Sequence, residues 1–379
     1  MRDQAEILFT DEQAQLMDIA EAFSASKSPI DAVRQQIEAE GAIEADLWRE
    51  MAALGWLGIA IPEEYGGSGL GLGEVVSIVE PMGRNLFASP LVSTTLAAQA
   101  ILLAGDAAQK SHWLPLLAGG TVAALALTEA HGDWDLANLT CTAEGKGDAI
   151  VLSGGKTFVT DAAMADVLLV TMALDGAPAL VLLETASLPA GAMRREVVID
   201  ETRRSYAVDL SGIVVPMANL LPQDRALGCL KSLHLTACLL YAAEMCGGTA
   251  GVINVTLEYL LTRRQFDHFI GAYQALKHPM VDALVGLEQA RSHLYHAATI
   301  FDAADTAGGE AAVRMAKAQA ADAFAFASDR AIQFHGAFGF TYECDAQLYR
   351  RRALWCEQQH GDSAHHRRHL AGLLLDQAV

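Results

Sequence analysis

The sequence predicts a mostly helical fold with one β domain near its middle, and three observations carry that reading. Residues 8–125 repeat apolar positions at helical spacing, residues 122–222 switch to short apolar runs bounded by Gly, Asp and Pro, and after Asp224 the helical spacing returns almost to the end. A chain of 379 residues exceeds the usual span of one hydrophobic core, so the stretches are read as domains 1–121, 122–222 and 223–379.

Each element has a local reason. Phe9-Thr10-Asp11-Glu12-Gln13 reads as a helix start, with Thr10 as cap and Gln13 placed to return a hydrogen bond, as in a capping box. Ala/Leu faces follow at 99–103 and 113–117. The run Ile61-Pro62-Glu63-Glu64-Tyr65-Gly66-Gly67-Ser68-Gly69-Leu70 interrupts them as a loop. Strands are expected at 149–152, 167–171, 179–183 and 213–215. Gly145-Lys146-Gly147-Asp148 and Ser153-Gly154-Gly155 supply turns. The most apolar stretch, 232–257, has the length of a membrane span. Glu244 and the Gly247-Gly248 pair interrupt it and favour a buried core helix, so no membrane span is expected.

Composition narrows the partners. Acidic residues outnumber basic ones 46 to 26, a formal charge of −20, which argues against nucleic acid because phosphate backbones need a basic face. The opening MRDQAEILFTDEQ lacks the basic and apolar regions of a signal peptide. The six cysteines include no CxxC pair, so a reduced, cytoplasmic setting is expected.

A few places could carry chemistry. The glycine loop at 65–71 does not follow a strand and open a helix, as a dinucleotide fingerprint would, and reads first as a sharp turn. Thr128-Glu129 leads into the irregular His131-Gly132-Asp133-Trp134-Asp135. A hydroxyl beside exposed backbone N–H groups can bind a polar ring or a phosphate, although a plain surface loop would look the same. Arg263-Arg264-Gln265-Phe266 closes the long helix, where cations also suit the helix dipole. In Gln333-Phe334-His335-Gly336-Ala337-Phe338-Gly339-Phe340, three small residues keep the backbone bare for a close approach. Glu244, mid-helix in apolar sequence, is either an ion-pair member or a tuned acid–base group. Histidines 360, 365, 366 and 369 invite a metal. Arg367 and Arg368 and the lack of an HExxH pattern argue against one, so none is expected.

Taken in order, these pieces resemble the acyl-CoA dehydrogenase family from about residue 8 to 375. Leu57-Gly58 through Leu70 resembles its first signature loop, and Leu127-Thr128-Glu129 the opening of its flavin loop. Gly155-Lys156 with Phe158-Val159-Thr160 resembles the segment lying against the isoalloxazine ring. Arg263, Gln265-Phe266, Gln274 and the Gln333, Gly336, Ala337 segment resemble elements that reach a neighbouring subunit's FAD. The resemblance implies an N-terminal α-helical domain, a middle β-barrel-like domain, a C-terminal four-helix bundle and a tetramer. It also implies FAD as cofactor, an acyl-CoA substrate, and an electron-transfer flavoprotein or similar acceptor. The chemistry it implies is α,β-dehydrogenation: a carboxylate takes the α-proton while the β-hydrogen leaves as hydride to the flavin.

Three departures stand out. The family's loop usually continues Pro-x-Ala-Gly-Ser-Asp, whereas this chain reads Ala130-His131-Gly132-Asp133-Trp134-Asp135. Trp134 thus replaces the serine that would meet the pyrophosphate, and Asp133 adds a negative charge there. The C-terminal Glu-Gly-Thr that commonly carries the base is absent; anchoring on Gly361 puts His360 in its place. The alternative glutamate position on the long helix is Ala237, and the arginine that usually follows is Cys238. Glu244 lies seven residues, about two turns, further along that face and is the expected base. Two function classes follow. One is a flavin enzyme acting on a bulky or hydrophobic acyl-CoA, as in steroid side-chain catabolism. The other is a non-catalytic subunit completing an α2β2 assembly with a homologous chain.

Overall fold

A computed structural model describes residues 10–39 and 44–375. Helices α1 (Asp11–Lys27), α2 (Ile30–Glu38), α3 (Ala45–Ala53), α4 (Leu72–Arg84), α5 (Leu91–Ala104) and α6 (Ala107–Ala118) come first. Strands follow: β1 (Ala123–Ala126), β2 (Thr142–Lys146), β3 (Ala149–Ser153), β4 (Gly155–Thr160), β5 (Val167–Leu174), β6 (Ala177–Glu184), β7 (Met193–Glu196), β8 (Ser205–Asp209) and β9 (Val214–Pro216). The chain then runs through α7 (Ala226–Thr262), a hairpin of β10 (Arg264–Gln265) and β11 (His268–Phe269), α8 (Gln274–Ile300), α9 (Glu310–His335), α10 (Asp345–Gln358) and α11 (Ser363–Leu375). The helix–strand–helix order is the expected one, and the four runs expected as strands overlap β3, β5, β6 and β9. The capping box at α1 forms: Gln13 N–H donates to Thr10 Oγ1 and Thr10 N–H to Gln13 Oε1, each at 3.1 Å.

The chain divides into two compact units, each assembled from separated stretches. The first, the helical unit, comprises Met1–Ala39, Gly73–Phe87 and Cys238–Val379. Its α4 and α7 touch backbone to backbone. A Cβ on Gly247 would lie 1.8 Å from Glu80 O, one on Gly83 2.1 Å from Glu244 O, and one on Gly251 2.4 Å from Arg84 O. Only glycine permits that approach. The apolar helix that ends at Thr262 has the length and hydropathy to cross a bilayer, but 72% of that window is buried inside the protein. It is a core helix, as its glutamate and glycines predicted.

The second, the sheet unit, comprises Glu40–Leu72 and Ala88–Ala237. β5 organises its larger sheet. β6 pairs antiparallel along one edge, Val167 opposite Glu184. β1 and β2 lie end to end along the other edge, both parallel to β5, with Ala123 opposite Val167 and Thr142 opposite Ala173. β3 and β9 extend the sheet beyond β2. The Val-Leu-Leu-Val run of β5 is buried throughout, as a strand covered on both faces must be. A second, antiparallel sheet runs β4–β8–β7. Its β4–β8 ladder shifts register between Lys156 and Val159, and that irregularity shapes the site.

Candidate functional site

The site in the sheet unit starts from a buried ion pair. Lys156 of β4 is 2% exposed and Glu129, just past β1, is 4% exposed. Lys156 Nζ donates to Glu129 Oε1 at 2.7 Å, Thr171 Oγ1 at 2.9 Å and Leu127 O at 3.3 Å, the three-acceptor geometry of a charged ammonium. Glu129 Oε2 also accepts from Thr140 N–H at 2.7 Å and from the Thr140 hydroxyl, and both its oxygens face Cys141 N–H. Burial pushes the Glu129 carboxyl up, but the bonds from Lys156 and Thr140 outweigh it and hold its pKa at about 2. Burial pulls the Lys156 ammonium down, against the pull of Glu129. The acceptor geometry assigns an ionised pair. It staples both ends of the 129–140 loop to β4.

That staple presents Thr128. Its carbonyl accepts from Thr157 N–H at 2.9 Å, which sets Thr128 against the irregular part of β4. Phe158 follows there with φ +54°, its side chain 48% exposed. Thr160, half-buried, ends the strand. Among the described residues, neither the Thr128 nor the Thr160 hydroxyl has a protein hydrogen-bond partner. The structure therefore groups Thr128, Phe158 and Thr160 on one strand and the residue stapled to it. Leu127, expected at the cofactor, is buried, and its carbonyl accepts from Lys156 and Thr171.

In the loop beyond, the Asp133 carboxylate accepts from Asp135 N–H at 2.9 Å and Asn138 Nδ2 at 2.7 Å. Those bonds, the Asp135 amide first, hold its pKa below the ordinary carboxylate range. Trp134, half-buried, sits next to this anion.

The remaining expected contacts lie in the helical unit, at one end of α7, α8 and α9. Tyr259 stacks on His335 with ring centroids 4.2 Å apart, joining the end of α7 to the end of α9. Tyr273 OH donates to Gln265 O at 3.1 Å, tying the start of α8 to the hairpin. Arg263, Phe266, Gln274, Gln333, Gly336 and Ala337 are all exposed there. Arg264 and Gln265 do not close the helix as expected; α7 stops at Thr262, and they pair with Phe269 and His268. Phe266 caps that hairpin at φ +51°, 87% exposed. The bare backbone at Gly339 serves packing, since a Cβ there would lie 2.4 Å from Ile332 O.

Glu244 corrects an expectation. It is not an isolated carboxylate: Arg352 Nη1 donates to Glu244 Oε1 at 2.6 Å, and Arg352 Nη2 donates to Leu86 O at 3.3 Å. Arg352 is fully buried and Glu244 4% exposed. Removing either partner would leave a buried charge, so the pair is first of all structural. The sequence hid it because the arginine lies 108 residues away.

His360 sits in a turn at φ +55°, followed by Gly361 at φ +103°. Lys317 Nζ donates to Gly361 O at 2.8 Å and Glu357 O at 3.1 Å. Burial, aided by the Lys317 charge, pushes the His360 pKa down to about 4, so its imidazole is neutral at neutral pH. Sequence reasoning also missed Glu196. Phe158 N–H donates to its Oε2 at 2.8 Å and the Thr157 hydroxyl to its Oε1 at 2.5 Å. Nothing in the local pattern around Glu196 signals this, because the partners are brought together by strand pairing.

Three models of acyl-CoA dehydrogenase domains match the chain: the N-terminal domain over residues 10–121, the middle domain over 124–209 and the C-terminal domain over 235–375. Acyl-CoA dehydrogenase FadE12 of Mycobacterium tuberculosis is 30% identical over 79% of this chain and 80% of its own length. The Tcur3481-Tcur3483 steroid ACAD structure superposes with TM-score 0.83 at 28% identity, covering 97% of this chain and 99% of its own. Butyryl-CoA dehydrogenase of Megasphaera elsdenii shares the fold, with TM-score 0.87 at 23% identity over 97% of this chain and 98% of its own.

Proposed function

The chain belongs to the acyl-CoA dehydrogenase family, and from that premise we propose that it oxidises the Cα–Cβ bond of an acyl-CoA carrying a bulky or hydrophobic acyl group. Members of this family are FAD-dependent oxidoreductases. One observation carries the reading: β4 and the residue bonded to it bring together the uncommitted hydroxyls of Thr128 and Thr160 and the half-exposed Phe158. Two hydroxyls suit the polar edge of a flavin and an aromatic suits its apolar face, so these residues fit the ring of FAD. When bound, FAD supplies the hydride acceptor.

The residues of this chain supply binding and proton removal. With FAD bound, Thr128 and Thr160 would orient the ring, and Phe158 would keep water from one face. The α-proton needs a base, and Glu244 is engaged by Arg352. His360 stands where the family resemblance expects a carboxylate. Burial keeps its imidazole neutral, so it can accept a proton. We assign the base to His360 in preference to Glu244. The steroid-acting relative supports a bulky acyl group.

Purification and titration test this reading. The protein should be yellow, and its flavin absorbance should bleach on adding a steroid side-chain or branched acyl-CoA. His360→Gln should slow bleaching about 100-fold or more, the scale of a lost general base, with flavin content unchanged; Glu244→Gln should leave the rate per bound flavin near that of the wild type. A protein that never takes up FAD would overturn it.

A second reading has its own observation. The ionised Asp133 lies in the loop where phosphates would approach, and at about 4 Å and an effective dielectric near 20 each like-charge contact costs roughly 4 kcal/mol before screening. In that case the chain works as one subunit of an α2β2 assembly, and co-expression with a homologous subunit should give one FAD per pair. We further propose an electron-transfer flavoprotein or similar acceptor, a tetrameric assembly, a cytoplasmic setting, and the three-part division at 1–121, 122–222 and 223–379.

A further inference from the structure

Glu196 makes more bonds to β4 than the sheet needs. It ends β7 and pairs with Ser205 of β8, which in turn pairs with Thr160 of β4, so the three residues form one row across the small sheet. Between Lys156 and Val159 the ladder shifts, and the amides of Thr157 and Phe158 must find other acceptors. Thr157 N–H finds Thr128 O. Phe158 N–H finds Glu196 Oε2 at 2.8 Å, while the same carboxylate accepts from Thr157 Oγ1 at 2.5 Å and Ser205 Oγ at 3.1 Å.

The residue so held is in an uncommon state. Phe158 adopts the left-handed backbone at φ +54°, which bulky L-residues avoid, and the residue is 48% exposed. A glycine would make the same bend without steric cost, so the bend itself does not call for phenylalanine. A strained, exposed aromatic held by its neighbours marks a site where a particular side-chain position is required.

We propose that Glu196 is a positioning residue that latches Phe158 in the left-handed conformation, so that its ring stands beside Thr128 and Thr160 and covers one face of the bound flavin. Without the carboxylate, Phe158 N–H loses its acceptor, the backbone relaxes toward the extended region, and the ring leaves its station. The inference rests on the flavin reading of this site, but the latch itself exists in the protein without cofactor.

Two measurements test it. In flavin-free protein, amide hydrogen exchange at Phe158 should quicken about 10- to 100-fold in Glu196→Ala, the loss of one charge-assisted hydrogen bond, and less in Glu196→Gln, which keeps an acceptor. The amides of β5 should not change. Unchanged exchange at Phe158 in Glu196→Ala would overturn the latch. In flavin-loaded protein, the fine structure of the long-wavelength flavin band should blur, and iodide should quench the flavin more readily, in Glu196→Ala and Phe158→Ala alike. The double variant should add nothing to either. Additive effects, or a wild-type spectrum in Glu196→Ala beside an altered Phe158→Ala, would refute the positioning role. If no form retains FAD, the flavin reading fails by itself, while the exchange measurement still decides the latch.

Discussion

Each unit contains a buried carboxylate paired with a buried cation, and the two pairs differ in what they leave over. In the helical unit, Glu244 and Arg352 bind each other, and the second guanidinium nitrogen takes the Leu86 carbonyl just after α4. The pair therefore joins α7, α10 and the end of α4. In the sheet unit, Glu129 and Lys156 bind each other and the backbone of 127–141, yet the neighbouring Thr128 and the nearby Thr160 keep free hydroxyls. Both pairs are saturated, as buried charges must be. Saturation makes each a poor reactant but a good brace. A brace at the mouth of a loop can hold an unsatisfied group toward a ligand, whereas one among packed helices can only hold helices.

The largest effect should come where that helical packing is tightest. Gly247→Val puts two methyl groups where a Cβ alone would lie 1.8 Å from Glu80 O. We expect loss of folded protein, beyond the 1–3 kcal/mol typical of overpacking, because the obstacle is backbone rather than a movable side chain. Soluble, cooperatively melting Gly247→Val would show that α4 and α7 can part cheaply.

Next comes the brace between helices. Arg352→Met leaves the buried Glu244 carboxylate without its guanidinium partner and should cost about 3–5 kcal/mol by urea unfolding. Adding Glu244→Leu to Arg352→Met should restore most of it. A small loss in the single variant would mean that the Arg352 pair is not the brace and that Glu244 could still carry chemistry.

Acid should separate the two units. In the helical unit, burial first, then nearby cations and histidines, push His360 and His365 down to about 4 and His366 to about 2. The fold favours their neutral forms, so their contribution to stability is whole above pH 6.5 and falls as pH drops toward 4. Glu129, held at about 2, contributes fully above pH 4.5 and loses that contribution as pH falls toward 2. Amide exchange along an acid titration should thus show the 360–369 region loosening before the 127–156 region. The reverse order would contradict the assignment of an ionised Glu129–Lys156 pair.

The smallest effect should be the most specific. Thr128→Val removes a hydroxyl with no protein partner, so stability should stay within about 0.5 kcal/mol. FAD affinity should fall about 2- to 10-fold, the scale of one neutral hydrogen bond. A marked drop in melting temperature with unchanged affinity would assign that hydroxyl to the fold instead.

Much of the architecture was legible in the sequence, because its signals are local. The Thr10–Gln13 capping box, the alternation of β3 and the apolar run of β5 each depend on neighbours within a few residues. The order of Leu127-Thr128, Phe158-Thr160 and the exposed end of α9 carried the family resemblance for the same reason. That the Leu127 side chain is buried was not legible, since a motif names residues without saying which faces inward.

What the tertiary structure alone decided are pairings between residues far apart along the chain. Arg352 meets Glu244 across 108 positions, Glu196 meets Phe158 across 38, and Gly247 meets the backbone of Glu80. A one-dimensional pattern records periodicity and turn chemistry, which act over one or two helical turns. Whether a buried carboxylate is an isolated base or half of an ion pair depends on which charge the packed chain brings within about 3 Å of it, and that partner is chosen only when the helices and strands assemble.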